Sequence, residues 1–400
     1  MQKKQQFLIL LAIALAALCN YLPIPHMDKI VDLLSTLFLN ALKLLSLPMI
    51  FLAIISTITT RKSVREMSHI ARKVVLYTCV TTLIAASIGL ICFLIFASPL
   101  KTVGVTGEIA SIHYLDFIKN IVPENITRAF LDGNVIAIAF IASILGIAIM
   151  KMPEKERDLF GRLFKGLFQA FLTISTWLIR FLPLGIFAFA YPLFGALSSE
   201  MPTLKKLGGY ALAVLFSNLL QVFIVLPLFL KQTGLSPLHS FKKMLPALSV
   251  AFFSKSSNAA LPLTLKCAQE DLGVRPKTAQ FTLPLCSVIN MNGCAAFILI
   301  TTLFVAASSG IYFSIWQMLL WIPIATLAAI GNAGIPMGCY FLTSALLMGM
   351  NVPLHMMGLI LPLYAFFDMV ETALNVWSDS CVTYVTDHKL KEAENKVVKV

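Results

Sequence analysis

Tyr364-Ala-Phe-Phe-Asp368-Met-Val-Glu371-Thr372-Ala-Leu-Asn375-Val-Trp-Ser378-Asp379 lies inside an apolar run, yet carries three carboxylates, a threonine hydroxyl and an amide. At about 100° per residue, Asp368, Glu371, Thr372, Asn375 and Asp379 share an arc of roughly 100° on one helix face. Phe366, Phe367, Val370, Leu374, Val376 and Trp377 take the other faces. A carboxylate facing lipid costs at least about 2.5 kcal/mol, so an acidic stripe on a membrane helix faces a polar cavity. The reading of this stretch decides the fold: a helix that crosses a bilayer with a functional face turned inward.

Outward from it, the composition agrees. The chain is 58% hydrophobic and 12% charged, where soluble domains average about 25% charged. Apolar runs of about 20 residues recur along its length, which predicts an all-α polytopic membrane protein. The net charge of +12 sits in short basic clusters between those runs, a pattern of cytoplasmic loops rather than of nucleic-acid binding. The eight cysteines lack CxxC or other metal-ligand spacing, and read as small buried apolar residues. Met1-Gln-Lys3-Lys4 followed by residues 7–22 lacks a small-x-small cleavage site and reads as a retained first span.

Taken in order, spans are expected over 7–25, 31–60, 74–96 and 134–150, with a polar external loop at 99–130. A charged segment at 151–157 closes the fourth. A fifth element is expected over 163–197, kinked at Pro183, with Arg180 near a helix end, and a sixth over 210–230. Basic clusters after the second, fourth and sixth spans place the N-terminus in the cytoplasm. Lys205 and Lys206 are a mild exception.

The second half differs in kind. Residues 244–266 are polar at their centre, Ser254-Lys255-Ser256-Ser257-Asn258, and read as a re-entrant hairpin. A span over 278–308 is interrupted at Asn290-Met291-Asn292-Gly293-Cys294, where unwinding would expose carbonyl oxygens to a cation. A second hairpin, 315–349, breaks at Gly331-Asn332-Ala-Gly334-Ile335-Pro336. The last span, 354–386, carries the stripe and is expected to end before Asp387. Hairpin, span, hairpin, span suggests inverted repeats meeting at the midplane.

Two other classes compete. No GxSxG, HExxH, phosphate-binding glycine-lysine loop or kinase motif is present, which argues against a membrane enzyme. Broken hairpins could line a channel, but the acidic stripe occurs once, without a repeated filter sequence.

At these motifs the chain resembles the glutamate transporter family, the dicarboxylate/amino acid:cation symporters, over nearly its whole length. The serine-rich tip, Asn290-Met-Asn-Gly-Cys294, the glycine-proline tip at 331–336 and the 368–379 stripe carry the resemblance, and Leu42-Lys43 to Phe51 fits it. It implies eight transmembrane helices, two re-entrant hairpins, an elevator mechanism and a homotrimer in the plasma (inner) membrane, with both termini cytoplasmic. It further implies scaffold spans in 1–70, a transport-domain span in 71–100, peripheral spans in 101–240, a transport core in 241–388 and a cytoplasmic tail from 389. Small-molecule amino acid or dicarboxylate and membrane lipid are the implied partners; nucleic acid is not.

Carried over residue by residue, Asp368 would bind the substrate α-ammonium, while Asn375 and the Ser256–Ser257 region would hold its α-carboxylate, with Thr372 nearby. Met291, Cys294, Ile335 and Cys339 complete the implied substrate set. Glu371 stands where carriers of acidic substrates have an arginine, and Cys294 where they have a threonine. Like charges 4 Å apart repel by roughly 4 kcal/mol at an effective dielectric of about 20, so the expected substrate side chain is neutral or positive. Lys255 could instead pair with Glu371, or Glu371 could carry a proton and serve proton coupling in a glutamate/dicarboxylate symporter. For Na⁺, one implied site uses Asn290, Asn375, Asp379 and carbonyls near Cys286. A second uses carbonyls around Val288, Met291, Ala329, Ile330 and Asn332. A third uses Thr81, Thr82 and Asn290 but has Asn292 in place of an aspartate, and Thr78 in place of a tyrosine. Two coupled Na⁺ ions are therefore expected rather than three.

Overall fold

The computed structural model describes residues 2–22, 25–59, 68–97, 122–131, 135–196, 201–331 and 337–398. Among them the chain is helical and no strand forms. The helices are α1 (Gln2–Tyr21), α2 (Met27–Thr59), α3 (Ser68–Cys92), α4 (Ile126–Leu131), α5 (Val135–Met150), α6 (Glu154–Arg180), α7 (Leu182–Ala196), α8 (Met201–Leu220), α9 (Leu226–Gln232), α10 (Pro237–Ser254), α11 (Ser257–Lys266), α12 (Pro276–Ile289), α13 (Asn292–Ser308), α14 (Ile315–Gly331), α15 (Gly338–Gly349) and α16 (His355–Val398). Among the described residues, four continuous stretches are long and apolar enough to cross a bilayer: 70–97, 205–231, 276–308 and 355–394. Shorter apolar helices include 140–150, 315–330 and 338–349.

The helices pack in two groups. α2 packs on α5, α6 and α7, and α1 packs on α7. The other group is built around α13, which is buried from Asn292 to Ala306 and touches α3, α8, α14, α15 and α16. Gly89 of α3 lets that helix close on α13: a Cβ there would stand 3.1 Å from Ala296 Cα. α10 and α12 pack along α16, and α11 folds back onto α10.

Two sequence expectations need correction. The element expected to begin at residue 163 starts at Glu154, because Glu154 and Glu156 sit in the first turn, where the helix dipole favours acid, just after Pro153. It is also two helices rather than one kinked helix. Pro183 has no N–H to donate, so α6 stops at Arg180 and α7 restarts with Pro183 in its first turn; Leu184 and Gly185 both donate to the Phe181 carbonyl.

The last helix does not end before Asp387 but continues to Val398. Asp387 is buried, 1% exposed at its side chain, and is held by three donors. Arg275 Nε lies 2.7 Å from Oδ1, Thr278 Oγ1 2.8 Å from the same oxygen, and Lys391 Nζ 2.8 Å from Oδ2. Arg275 also reaches Glu394 at 2.8 Å. This cluster ties the start of α12 to the end of α16. Asp387→Ala removes the acceptor that joins Arg275, Thr278 and Lys391 and is expected to cost about 1–2 kcal/mol, since both cations stay partly solvated and Arg275 keeps Glu394. A thermal-unfolding scan in detergent checks it: the melting temperature should fall clearly, and more than for Glu394→Ala.

Candidate functional site

Helix breaks at three places build the site. At the first tip, Lys255 takes a left-handed conformation, φ +53°, and its N–H caps Ala251. That backbone costs a lysine about 1–2 kcal/mol. Ser256 is extended, and its hydroxyl accepts from Ala259 N at 3.2 Å, capping α11. At the second break, Asn290 and Met291 leave helical geometry with ψ +78° and +62°, interrupting α12–α13 where the sequence predicted. At the third, Met337 takes φ +57° and starts α15 at Gly338. Residues 332–336, including Asn332 and Ile335, lie outside the described residues.

Between these breaks lies a small, partly open cavity. Lys255, Ser257, Met291, Cys294, Gly338, Cys339, Asp368, Glu371, Thr372 and Asn375 line it. Asp368, Glu371, Thr372 and Asn375 of the acidic stripe line this cavity, while Asp379 does not. Ser257, Gly338 and Cys294 belong to the first turns of α11, α15 and α13, so three helix N-termini reach the cavity that Asp368 and Glu371 also line. Positive helix ends suit a carboxylate, and Asp368 suits an ammonium. The arrangement is complementary to a zwitterion.

The individual bonds show which groups are available to a ligand. Asn375 Oδ1 accepts from Gly293 N at 3.0 Å, while its amide nitrogen rests on Cys294 Sγ at 3.4 Å and Met291 Sδ at 3.5 Å. Sulfur is a weak acceptor, so a carboxylate would readily draw that N–H₂ away. Thr372 Oγ1 donates to the Asp368 carbonyl at 2.6 Å, and Tyr364 Oη reaches Asp368 Oδ1 at 3.5 Å.

Glu371 is 1% exposed, and among the described residues neither carboxylate oxygen has a hydrogen-bond partner. Among the described residues it makes no ion pair with Lys255, whose charge acts on Asp368 instead. Cys294 and Cys339 present their thiols to it. Gly293 is required beside it: a Cβ there would stand 2.9 Å from Glu371 Cα, so only glycine lets α13 approach α16 this closely.

A second polar cluster lies where α3, α12–α13 and α16 meet. Thr82 Oγ1 donates to Asn292 Oδ1 at 2.8 Å. Asn290 Nδ2 donates to Asp379 Oδ1 at 3.0 Å and to Ser378 Oγ at 2.9 Å, and Asn292 Nδ2 reaches the same Ser378 at 2.8 Å. Thr81 Oγ1 has three acceptors within 3.4 Å, Thr78 O, Asn290 Oδ1 and Asn292 Oδ1, but one proton for them. The cluster is rich in oxygen and short of donors, the composition a hard cation takes. Its charge comes from Asp379, which is 3% exposed.

The other predicted cation residues are more scattered. Cys286 is buried, and its carbonyl accepts from Asn290 N at 2.8 Å. Val288 packs beside Leu45 and Met49. Ala329 and Ile330 lie in the last turn of α14, which packs on α12. Ser256 is at the first tip, but its hydroxyl is spent on the helix cap. Sequence reasoning passed over Ser378, Gly338 and Gln221, whose Nε2 holds the Thr81 carbonyl at 3.1 Å. Ser378 and Gly338 stood within quoted motifs; Gln221, a lone amide in an apolar run, was itself a signal.

Helix breaks at 255, 290–291 and 337 that meet an acidic helix at a polar cavity fit a membrane transporter. The sodium:dicarboxylate symporter family matches residues 6–389, and the chain belongs to it. It is therefore a multi-pass membrane transporter and not an enzyme. The chain is 31% identical over 278 residues to a putative sodium-dependent excitatory amino acid transporter of Caenorhabditis elegans, covering 69% of this chain and 55% of that one. It is 27% identical to the human neutral amino acid transporter A over 66% of this chain and 49% of the relative. It is also 27% identical to the L-cystine uptake protein TcyP of Bacillus thuringiensis, over 86% and 78% of the two chains.

Proposed function

We propose that this protein is a Na⁺-coupled symporter importing an amino acid whose side chain is neutral or positively charged. The observation that carries the reading is Glu371, a buried carboxylate without a partner at the far end of a cavity whose near end suits an amino-acid head group. An ammonium or guanidinium on the substrate would satisfy it, and an acidic side chain would meet repulsion. Asp368 takes the α-ammonium; Asn375, Ser257 and the helix N-termini take the α-carboxylate. The relatives include carriers named for neutral amino acids and for L-cystine. The relative named for excitatory amino acids marks the alternative that the panel below decides.

Na⁺ would occupy the cluster around Asp379, with Thr81, Thr82, Asn290, Asn292 and Ser378 supplying neutral oxygens. One carboxylate there supports two coupled Na⁺ rather than three, since Asn292 brings no charge. The Na⁺ dependence of uptake should give a Hill slope below about 2, and a reversal potential requiring three ions would contradict this. A second reading, proton coupling, has the orphaned Glu371 carboxylate in its favour.

In the bilayer the reading has eight spans and two re-entrant hairpins, with both termini cytoplasmic. α10 to α16 move as an elevator with α3, against a trimeric scaffold that includes α2. The exposed apolar side chains Leu44, Leu163, Trp177 and Phe223 support contact with lipid or neighbouring protomers.

A panel of amino acids in a thermal-shift assay, with Na⁺ and with choline, tests the reading. Neutral or cationic amino acids should stabilise the protein only with Na⁺, and aspartate and glutamate should not. Stabilisation by aspartate alone would overturn the specificity. In the same assay Asp368→Asn should weaken the best ligand about a hundredfold, because a buried charge-assisted bond is lost.

A further inference from the structure

The side-chain end of the cavity holds a second kind of chemistry. Cys294 Sγ, Cys339 Sγ and a carboxylate oxygen of Glu371 all lie within 4.8 Å of one another, and all three residues are buried. They come from three helices, α13, α15 and α16. Both sulfurs are thiols rather than a disulfide. Among the described residues the carboxylate between them has no hydrogen-bond partner, an arrangement that costs free energy until a cation satisfies it.

We propose that Cys294, Cys339 and Glu371 form a three-ligand site for a soft divalent cation of the Zn²⁺ class, which staples α15 to α13 and α16 and excludes the amino acid. Two thiolates and a carboxylate match the ligand preference of Zn²⁺ and Cd²⁺, and exclude the hard cations that suit the Asp379 cluster. With Zn–S near 2.3 Å, tetrahedral ligands stand roughly 3.8 Å apart, so small rotamer adjustments close the set. On binding, the two thiols release their protons to solvent and no redox step is needed. The Asn375 N–H₂ against Cys294 Sγ would remain as an outer hydrogen bond that orients the sulfur. The fourth position faces the cavity, open to water. Because Glu371 is also the residue proposed to meet the substrate side chain, metal and amino acid compete for one carboxylate.

The inference rests on the same cavity but not on what is transported, so its test needs neither substrate nor Na⁺. The full-length protein in detergent is titrated with Cd²⁺ while the ultraviolet thiolate-to-metal charge-transfer absorption is read. One Cd²⁺ per chain is expected, displaced by Zn²⁺. The band should vanish in the Cys294→Ser/Cys339→Ser double variant and persist in a Cys267→Ser/Cys381→Ser control. Glu371→Gln keeps both thiols and should lower the affinity about tenfold or more. Cys339→Ser alone leaves one thiolate and should weaken both the band and the Cd²⁺ affinity. Absence of the band in the unsubstituted protein, its survival without Cys294 and Cys339, or unchanged affinity in Glu371→Gln would each overturn the proposal. A protein that binds Cd²⁺ in this way but ignores every amino acid would leave the site standing and remove the transport reading.

Discussion

Glu371→Arg is expected to invert the substrate preference of this protein. The side chain is buried where it lines the cavity, and among the described residues neither of its oxygens has a hydrogen-bond partner. Reversing its charge turns an attraction of roughly 4 kcal/mol for a cationic side chain into a repulsion of similar size, at an effective dielectric of about 20. Affinity for a cationic amino acid should fall by at least about a thousandfold, neutral ones should change far less, and aspartate or glutamate should begin to bind. Glu371→Gln separates charge from volume: it should weaken cationic ligands while leaving neutral ones nearly unchanged. Competition binding across the amino-acid panel reads both. An unchanged order of preference in Glu371→Arg would remove the side-chain assignment while leaving the head-group site intact.

Asp379→Asn should abolish the Na⁺ dependence of binding. The cluster it belongs to offers a cation several neutral oxygens but a single charge, because Asn292 is an amide. Without that charge a buried monovalent ion has no electrostatic compensation, and its affinity should drop by about a hundredfold or more. The variant remains able to accept the Asn290 amide hydrogen bond through its own oxygen, so the fold should survive. Thermal stabilisation by NaCl over choline chloride is the measurement. Retention of the full Na⁺-dependent shift would place the ion elsewhere.

Much of this site is legible in the sequence because it breaks the rules of a membrane interior. Carboxylates in an apolar run, two asparagines and a glycine at 290–293, and serines around a lysine each contradict what lipid tolerates, so each marks a place where backbone or side chain meets something polar. The stripe is readable by helical arithmetic alone. Partnership across the fold is not. Arg275 stands 112 residues from Asp387, and without that partner Asp387 looks like the end of a span rather than a pinned interior residue. The same holds for Ser378, whose role depends on Asn290 and Asn292 reaching it from α12–α13. The start of α6 was written in Pro153, Glu154 and Glu156, but acidic residues after a span also describe a loop, and packing against α2 decides between them. Thiol convergence was the least visible feature. Cys294 and Cys339 carry no metal-ligand spacing in sequence, because their ligand set is assembled from three helices.

Coupling of amino-acid movement to a Na⁺ gradient is the central claim, and uptake by sealed vesicles tests it most directly. The protein is reconstituted into proteoliposomes, and the amino acid giving the largest Na⁺-dependent thermal shift is supplied as a radiolabel. With Na⁺ outside and choline inside, the label should accumulate above its external concentration, then leak away when the Na⁺ gradient is collapsed. Label that only equilibrates under every gradient, or that accumulates under a proton gradient while ignoring Na⁺, would contradict the account.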